Sequence, residues 1–313
     1  MIVIEYKFGD LVGRDADDLL AIGYRYDSVG GFPWNCASYV VQTDPSALHA
    51  LEGGVGMYTG IWQSPTGRVY VADAHNAEVM TSAGPSLRST TWRQHSVGFA
   101  PAGVWGLDDA FVLTWGGEGN QEKMACFDGN AWQPMPAPGD MVMKVHGLAR
   151  DLIYAVGKDG MIARWDGSRW HRVDSPVSST LSSVFVASPD EIWACSNDGR
   201  FLEGSTHGWG HVLDHGEALF DVVQWRGTVW VAAPFEGLLS FDGKKLVNVK
   251  DNAFPKFLHA APNALLASCD DRVMATQDGK AWRGRLRRQF AEAFKGRPAE
   301  WAPTAPFEDT EGA

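Results

Sequence analysis

Short apolar runs recur along the chain at a steady spacing. "LLAIGY", "RVYVADA", "AFVLTW", "LIYAVG", "EIWACS", "TVWVAA" and "ALLASC" are rich in aromatic and β-branched residues and are bounded by Gly, Asp or Asn. Their length and composition predict buried β-strands rather than helices. Their central residues, Leu20, Tyr70, Val112, Tyr154, Trp193, Trp230 and Leu266, repeat about every forty positions. A second marker keeps the same period: Trp92, Trp132, Trp170, Trp209, Leu246 in the next copy, and Trp282. Each apolar run leads through a turn into another strand, then a turn ending in that Trp, then a further strand. An earlier strand precedes each run, as in "GVWGL", "MKVHGL", "SSVFVAS" and "FDVVQW".

Four short strands per roughly forty residues make one blade of a propeller. One blade cannot bury both of its faces. Stacking blade on blade does so, and closing the ring removes exposed edges. Seven copies therefore predict an all-β fold, a seven-bladed β-propeller of four-stranded antiparallel blades over residues 1–286. The Trp side chains are expected to fill the gaps between blades. Residues 287–313 read as a tail. At its start "RLRRQFAEAFKGRPAEW" (285–301) has helical spacing and dense Arg, and predicts a short amphipathic helix docked on the ring, with Phe290 and Phe294 on one face, the alternative being a basic partner-binding element.

The turns "FDGNAW", "WDGSRW", "FDGKKL" and "QDGKAW" share Asp-Gly. Gly tolerates positive φ and the Asp carboxylate bonds nearby amides, so these are tight hairpins rather than catalytic motifs. With these turns, "VWGLDDAFVLTW" and "DLIYAVGKDGMIARWDGSRW" resemble the repeats of bacterial β-propellers in the style of kelch and WD-repeat proteins. "TQDGKAW" is similar to the Asp-box of sialidase-type propellers, one residue short. That likeness implies a folding role for Asp278, Gly279 and Trp282.

Composition narrows the function. Twenty-seven Lys and Arg against 38 Asp and Glu leave a net charge of −11. Such a surface repels phosphate backbones and anionic lipid, which argues against nucleic-acid binding and membrane attachment and favours a basic partner. Cys36, Cys126, Cys195 and Cys269 are scattered in strand-like surroundings and are expected to be buried free thiols. The opening "MIVIEYKFGD" lacks the features of a signal peptide, and a cytoplasmic location is expected.

The stretch "HGWGHVLDH" invites a metal reading, because His207, His211 and His215 are spaced by four. Two glycines oppose a helix, and the repeat places the stretch in the turn and outer strand of the fourth blade. On a strand each step of four spans ~13 Å, so the three imidazoles cannot converge on one ion. No metal, no cofactor and no local catalytic motif is expected.

In a propeller, the loops joining second to third strands share one face with those joining consecutive blades. Here they combine acids with aromatics: Tyr26, Asp27, Phe32, Trp34, Glu118, Glu122, Asp214, Glu217, Phe235, Glu236, Asp251, Phe254 and Asp270. Aromatic anchors in a charged field describe a protein-binding surface. Long insertions are expected at "GYRYDSVGGFPWN" and "WGGEGNQEK", in the first and third blades. In overall character the chain is similar to the cytoplasmic immunity propellers encoded beside toxins of type VI secretion systems, some of which guard against nucleases. The resemblance implies a non-catalytic protein, monomeric on its own, that inhibits a basic toxin. The alternative is a hydrolase or lyase acting on a sugar or small ligand in the central channel.

Overall fold

The computed structural model describes residues 3–297 apart from 16, 30–35, 45–46, 85–86 and 89. Seven separate four-stranded antiparallel sheets follow one another along the chain, at residues 4–55, 58–96, 100–135, 142–173, 181–214, 221–250 and 257–286. They are blades 1 to 7 of a β-propeller. Within each blade the strand order is the chain order, the first strand facing the channel and the fourth the rim. The segment His207–His215 belongs to blade 5, not blade 4.

The second strands are the apolar runs of the sequence. Both faces of each are covered, so alternation disappears and nearly every position is apolar. Strand Leu152–Gly157 illustrates this. Leu152, Tyr154 and Val156 pack towards blade 5, whereas Ile153 and Ala155 pack towards blade 3. Seven apolar clusters result, one for each seam between adjacent blades. The marker Trp residues sit at or near the start of the fourth strands. Trp92, Trp132, Trp170, Trp209 and Trp282 are half-buried against these clusters, so they cap the seams at the rim rather than fill the centre.

The Asp-Gly turns are alike in four blades. Asp128, Asp166, Asp242 and Asp278 each accept, through Oδ1, the backbone N–H groups two and three residues on, at 2.8–2.9 Å. The intervening Gly129, Gly167, Gly243 and Gly279 have positive φ. These bonds hold all four carboxyls below the usual carboxylate range.

Among the described residues no strand is exchanged to close the ring: blade 1 is made of residues 4–55 and blade 7 of residues 257–286. Side chains close it instead. Phe8, Leu11 and Leu19 meet Leu266, Val273 and Ala275, and Phe8 N donates to Asp270 O at 3.1 Å. The helix Arg287–Glu292 then turns onto blade 1. Phe290 and Phe294 are buried among Tyr6, Phe8 and Tyr39. Gly23 makes room for Phe290, since a Cβ there would lie 2.6 Å from its Cζ. Farther along, Arg25 donates to the carbonyl of Arg297 at 2.8 Å.

Candidate functional site

Two regions could carry function, the central channel and the loop face. The inner strands enclose a cavity of about 740 Å³. Among the charged residues lining it are Asp10, Lys144 and Asp221, from blades 1, 4 and 6. Lys144 Nζ lies 3.4 Å from Asp221 Oδ2. Burial alone would lower the Lys144 pKa, but the carboxylates of Asp221 and Asp10 outweigh it and raise the value. Burial raises that of Asp10. His146 stacks on Phe185 at 4.4 Å, with Trp105 at 5.8 Å. Burial, reinforced by Lys144, pushes His146 down to about 3 and His259 down to about 4, so both imidazoles are neutral at neutral pH.

Most of these polar groups bond across seams. Ile61 N of blade 2 donates to Asp10 at 3.2 Å, and Thr59 Oγ1 donates to Pro101 O of blade 3 at 2.7 Å. Val142 N of blade 4 donates to Glu122 of blade 3 at 3.2 Å. Val186 N of blade 5 donates to His146 Nδ1 at 3.0 Å. Ser183 Oγ of blade 5 and Leu258 N of blade 7 both donate to Asp221 of blade 6, at 2.5 and 2.9 Å. With the Phe8–Asp270 bond, every seam has a hydrogen-bonded tie. Asp221 has all its acceptor capacity occupied, since Val222 N also donates to it at 3.1 Å. The channel polar set is therefore largely accounted for by holding blades together.

The loop face is different. Large apolar side chains are exposed there: Phe235 (70%), Val29 (69%), Met141 (55%), Phe254 (47%), Val55 and Val3. On this face carboxylates clearly outnumber Lys and Arg. Several are paired: Glu118 with Lys123 at 3.3 Å, Asp270 with Lys256 at 2.7 Å, Glu236 with His215 at 2.8 Å, and Asp214 with Arg200 and His211. Glu217 and Asp251 are exposed. On the opposite face, by contrast, Asp128, Asp166, Asp242 and Asp278 are spent on their own turns.

The expected contact residues fall into several groups. Phe235, Glu236, Asp214, Glu217, Asp251, Phe254 and Asp270 lie together over blades 5 to 7. Glu118 and Glu122 lie across the ring on blade 3. There the stretch expected to be a long loop is strand: Phe111–Glu118 pairs with Gln121–Phe127 up to Glu118 opposite Gln121, leaving a two-residue turn. Burial pushes Glu122 up to about 7, against two backbone N–H groups that lower it. Tyr26 donates to Glu5 at 3.0 Å. Asp27 is buried and accepts from Val3 N and Val29 N, so it shapes its loop rather than reaching a partner. Phe32 and Trp34 lie outside the described residues.

The histidine segment is a strand, Gly208–Asp214, with His211 opposite Leu202. His211 pairs with Asp214 and His215 with Glu236, on separate partners. Cys36, Cys195 and Cys269 are buried and Cys126 half-buried; all four are free, and burial raises every thiol to about 11 or 12.

No protein-family model matches the chain. Among solved structures it superposes on the WD40 β-propeller domain of Doa1 with a TM-score of 0.70 and 10% identity, covering 89% of this chain and 96% of that one. Virginiamycin B lyase from Staphylococcus aureus gives 0.64 and 9%, covering 86% and 97%. YCF48 bound to D1 peptide gives 0.57 and 14%, covering 74% and 81%. At these identities the likeness is one of fold, and the same fold serves binding proteins and enzymes alike. In sequence, the chain is 27% identical over 205 residues to the Immune protein Tsi7 of Pseudomonas aeruginosa, a match spanning 56% of this chain and 66% of that protein. The chain is thus a seven-bladed β-propeller with a modest sequence likeness to an immunity protein.

Proposed function

We propose that the protein is a non-catalytic immunity protein that binds and inhibits a cognate toxin through its loop face. The likeness to Tsi7 carries this reading. The character of the face supports it, with exposed Phe, Val and Met side chains in an acidic field. The partner is a basic protein, most consistently a nuclease of a type VI secretion system, met in the cytoplasm by a monomeric propeller. A nuclease site is built to attract polyanions, so an acidic face can occupy it. A standard interface buries ~800 Å² on each partner, within the reach of a face with several loops. The channel adds little to an enzymatic alternative, because Asp10, Asp221 and His146 are already engaged in hydrogen bonds across the blade seams.

Coexpression with a candidate toxin drawn from the neighbouring genes is the test. Rescue of growth and co-purification of a stoichiometric complex are expected, with an association rate that falls as salt is added. No rescue and no complex, together with turnover of a small substrate by the isolated propeller, would establish the enzyme reading instead.

A further inference from the structure

We infer that the toxin-binding hot spot is a single arc of the loop face over blades 5 to 7, anchored by Phe235 and Phe254 and steered by Glu217 and Asp251. This rests on the immunity reading and locates its contact. The arc is continuous by register. Strand Gly237–Phe241 pairs with Leu246–Lys250, with Leu238 opposite Lys250, which sets the turn carrying Phe235 beside the connection carrying Phe254. Asn248 Nδ2, on the strand leading into that connection, donates to Glu236 O at 2.7 Å and fastens the turn to the strand. The Glu236–His215 pair ties in the connection that holds Glu217, and Lys256–Asp270 extends the arc to blade 7.

Three features distinguish this arc. Its two phenylalanines are the only aromatic residues among the exposed large hydrophobics described, and both side chains stand on short loops fastened by hydrogen bonds. A rigid aromatic anchor loses little conformational entropy on binding and dominates interface energetics where it is desolvated. Of the arc's cations, Arg200 pairs with Asp214 and Asp198 and Lys256 with Asp270, while Lys250 has no ion pair among the described residues. That leaves Glu217 and Asp251 as its exposed acids without a side-chain ion pair among the described residues. The complementary surface is therefore basic, with Lys or Arg around an apolar recess that accepts a phenyl ring.

The experiment measures affinity and association rate between this chain and the purified candidate toxin of the coexpression test. Phe235→Ala with Phe254→Ala should weaken binding about 100-fold or more and abolish rescue. Glu217→Gln with Asp251→Asn should slow association several-fold and flatten its salt dependence. Leu148→Ala, exposed at the opposite face, should change nothing. Both phenylalanines are exposed, so an unchanged circular dichroism spectrum and melting temperature are expected to accompany the loss. If the wild type binds and the Phe235/Phe254 double variant binds equally well, the arc is wrong while the immunity reading stands. If the wild type neither binds nor rescues, both fall.

Discussion

The ring closes through packing, so removing Phe290 tests how closure works. Its ring is fully buried, 5.4 Å from Tyr6 and Phe294, 5.7 Å from Phe8 and 6.1 Å from Tyr39 by centroids. Phe290→Ala removes these contacts and leaves a cavity at the one seam whose blades come from opposite ends of the chain. A fully buried Phe→Ala costs about 3–5 kcal/mol. At about 2 °C per kcal/mol for a chain of this size, the melting temperature should fall by roughly 6–10 °C. Urea and thermal unfolding measure both. Gly23→Ala supplies the internal control. Its Cβ would lie 2.6 and 2.7 Å from the Phe290 ring, so alone it should cost about 1–3 kcal/mol. With Phe290→Ala present most of that clash disappears, and the two changes should be less than additive by about 1–2 kcal/mol. A loss below about 1 kcal/mol for Phe290→Ala, or strict additivity, would show the helix to be an appendage and the closure argument to be mistaken.

Three further predictions concern the seam ties. Asp221→Ala should destabilise by about 3–5 kcal/mol in urea unfolding, because it strands Lys144 and unties Ser183 and Leu258 N. The folded-state values of His146 and His259, about 3 and about 4, lie below the ordinary 6.5, so the native state binds fewer protons than the unfolded chain between those limits. Their contribution is complete above pH 6.5 and is lost as pH falls, by on the order of a few kcal/mol; His146→Asn, which keeps an acceptor for Val186 N, should flatten that slope in unfolding at graded pH. Glu122 runs the other way: raised from 4.5 to about 7, it costs stability as pH rises through that window, and Glu122→Gln should remove the dependence and stabilise the protein at pH 8.

Much of the fold could be read from residues. Leu20, Tyr70, Val112, Tyr154, Trp193, Trp230 and Leu266 stand at the same place in seven second strands, because a strand covered on both faces must be apolar throughout. Asp128, Asp166, Asp242 and Asp278 announced their turns, since the bond they make is local. Gly117–Lys123 misled, because the tip of a projecting hairpin is solvated and carries no alternation to mark it as strand. Asp27 misled because an acid near a loop reads as surface, whereas here it satisfies loop amides. Asp10, Lys144 and Asp221 carry no joint signal in the sequence. Each was visible as a lone charge inside an apolar first strand, in "FGDLV", "VMKVHG" and "LFDVVQW", but only the closed ring brings blades 1, 4 and 6 face to face. Of the candidate surface, the sequence named the residues of the arc but could not separate them from Glu118, Glu122 and Tyr26, since their grouping depends on register between neighbouring loops.

The helix that covers blade 1 also sets an order of events during synthesis. Blades 1 to 6 can each stack on the next as they leave the ribosome, since each is contiguous in sequence. Tyr6, Phe8 and Tyr39 belong to the first blade made, yet Phe290 and Phe294 are nearly the last described residues to be added. While blades 2 to 7 are being made the helix cannot cover that apolar surface, and its long-range contacts with blade 1 form late. The nascent propeller is therefore an open arc with a sticky leading edge, which blade 7 and then the helix after it cover as the ring closes.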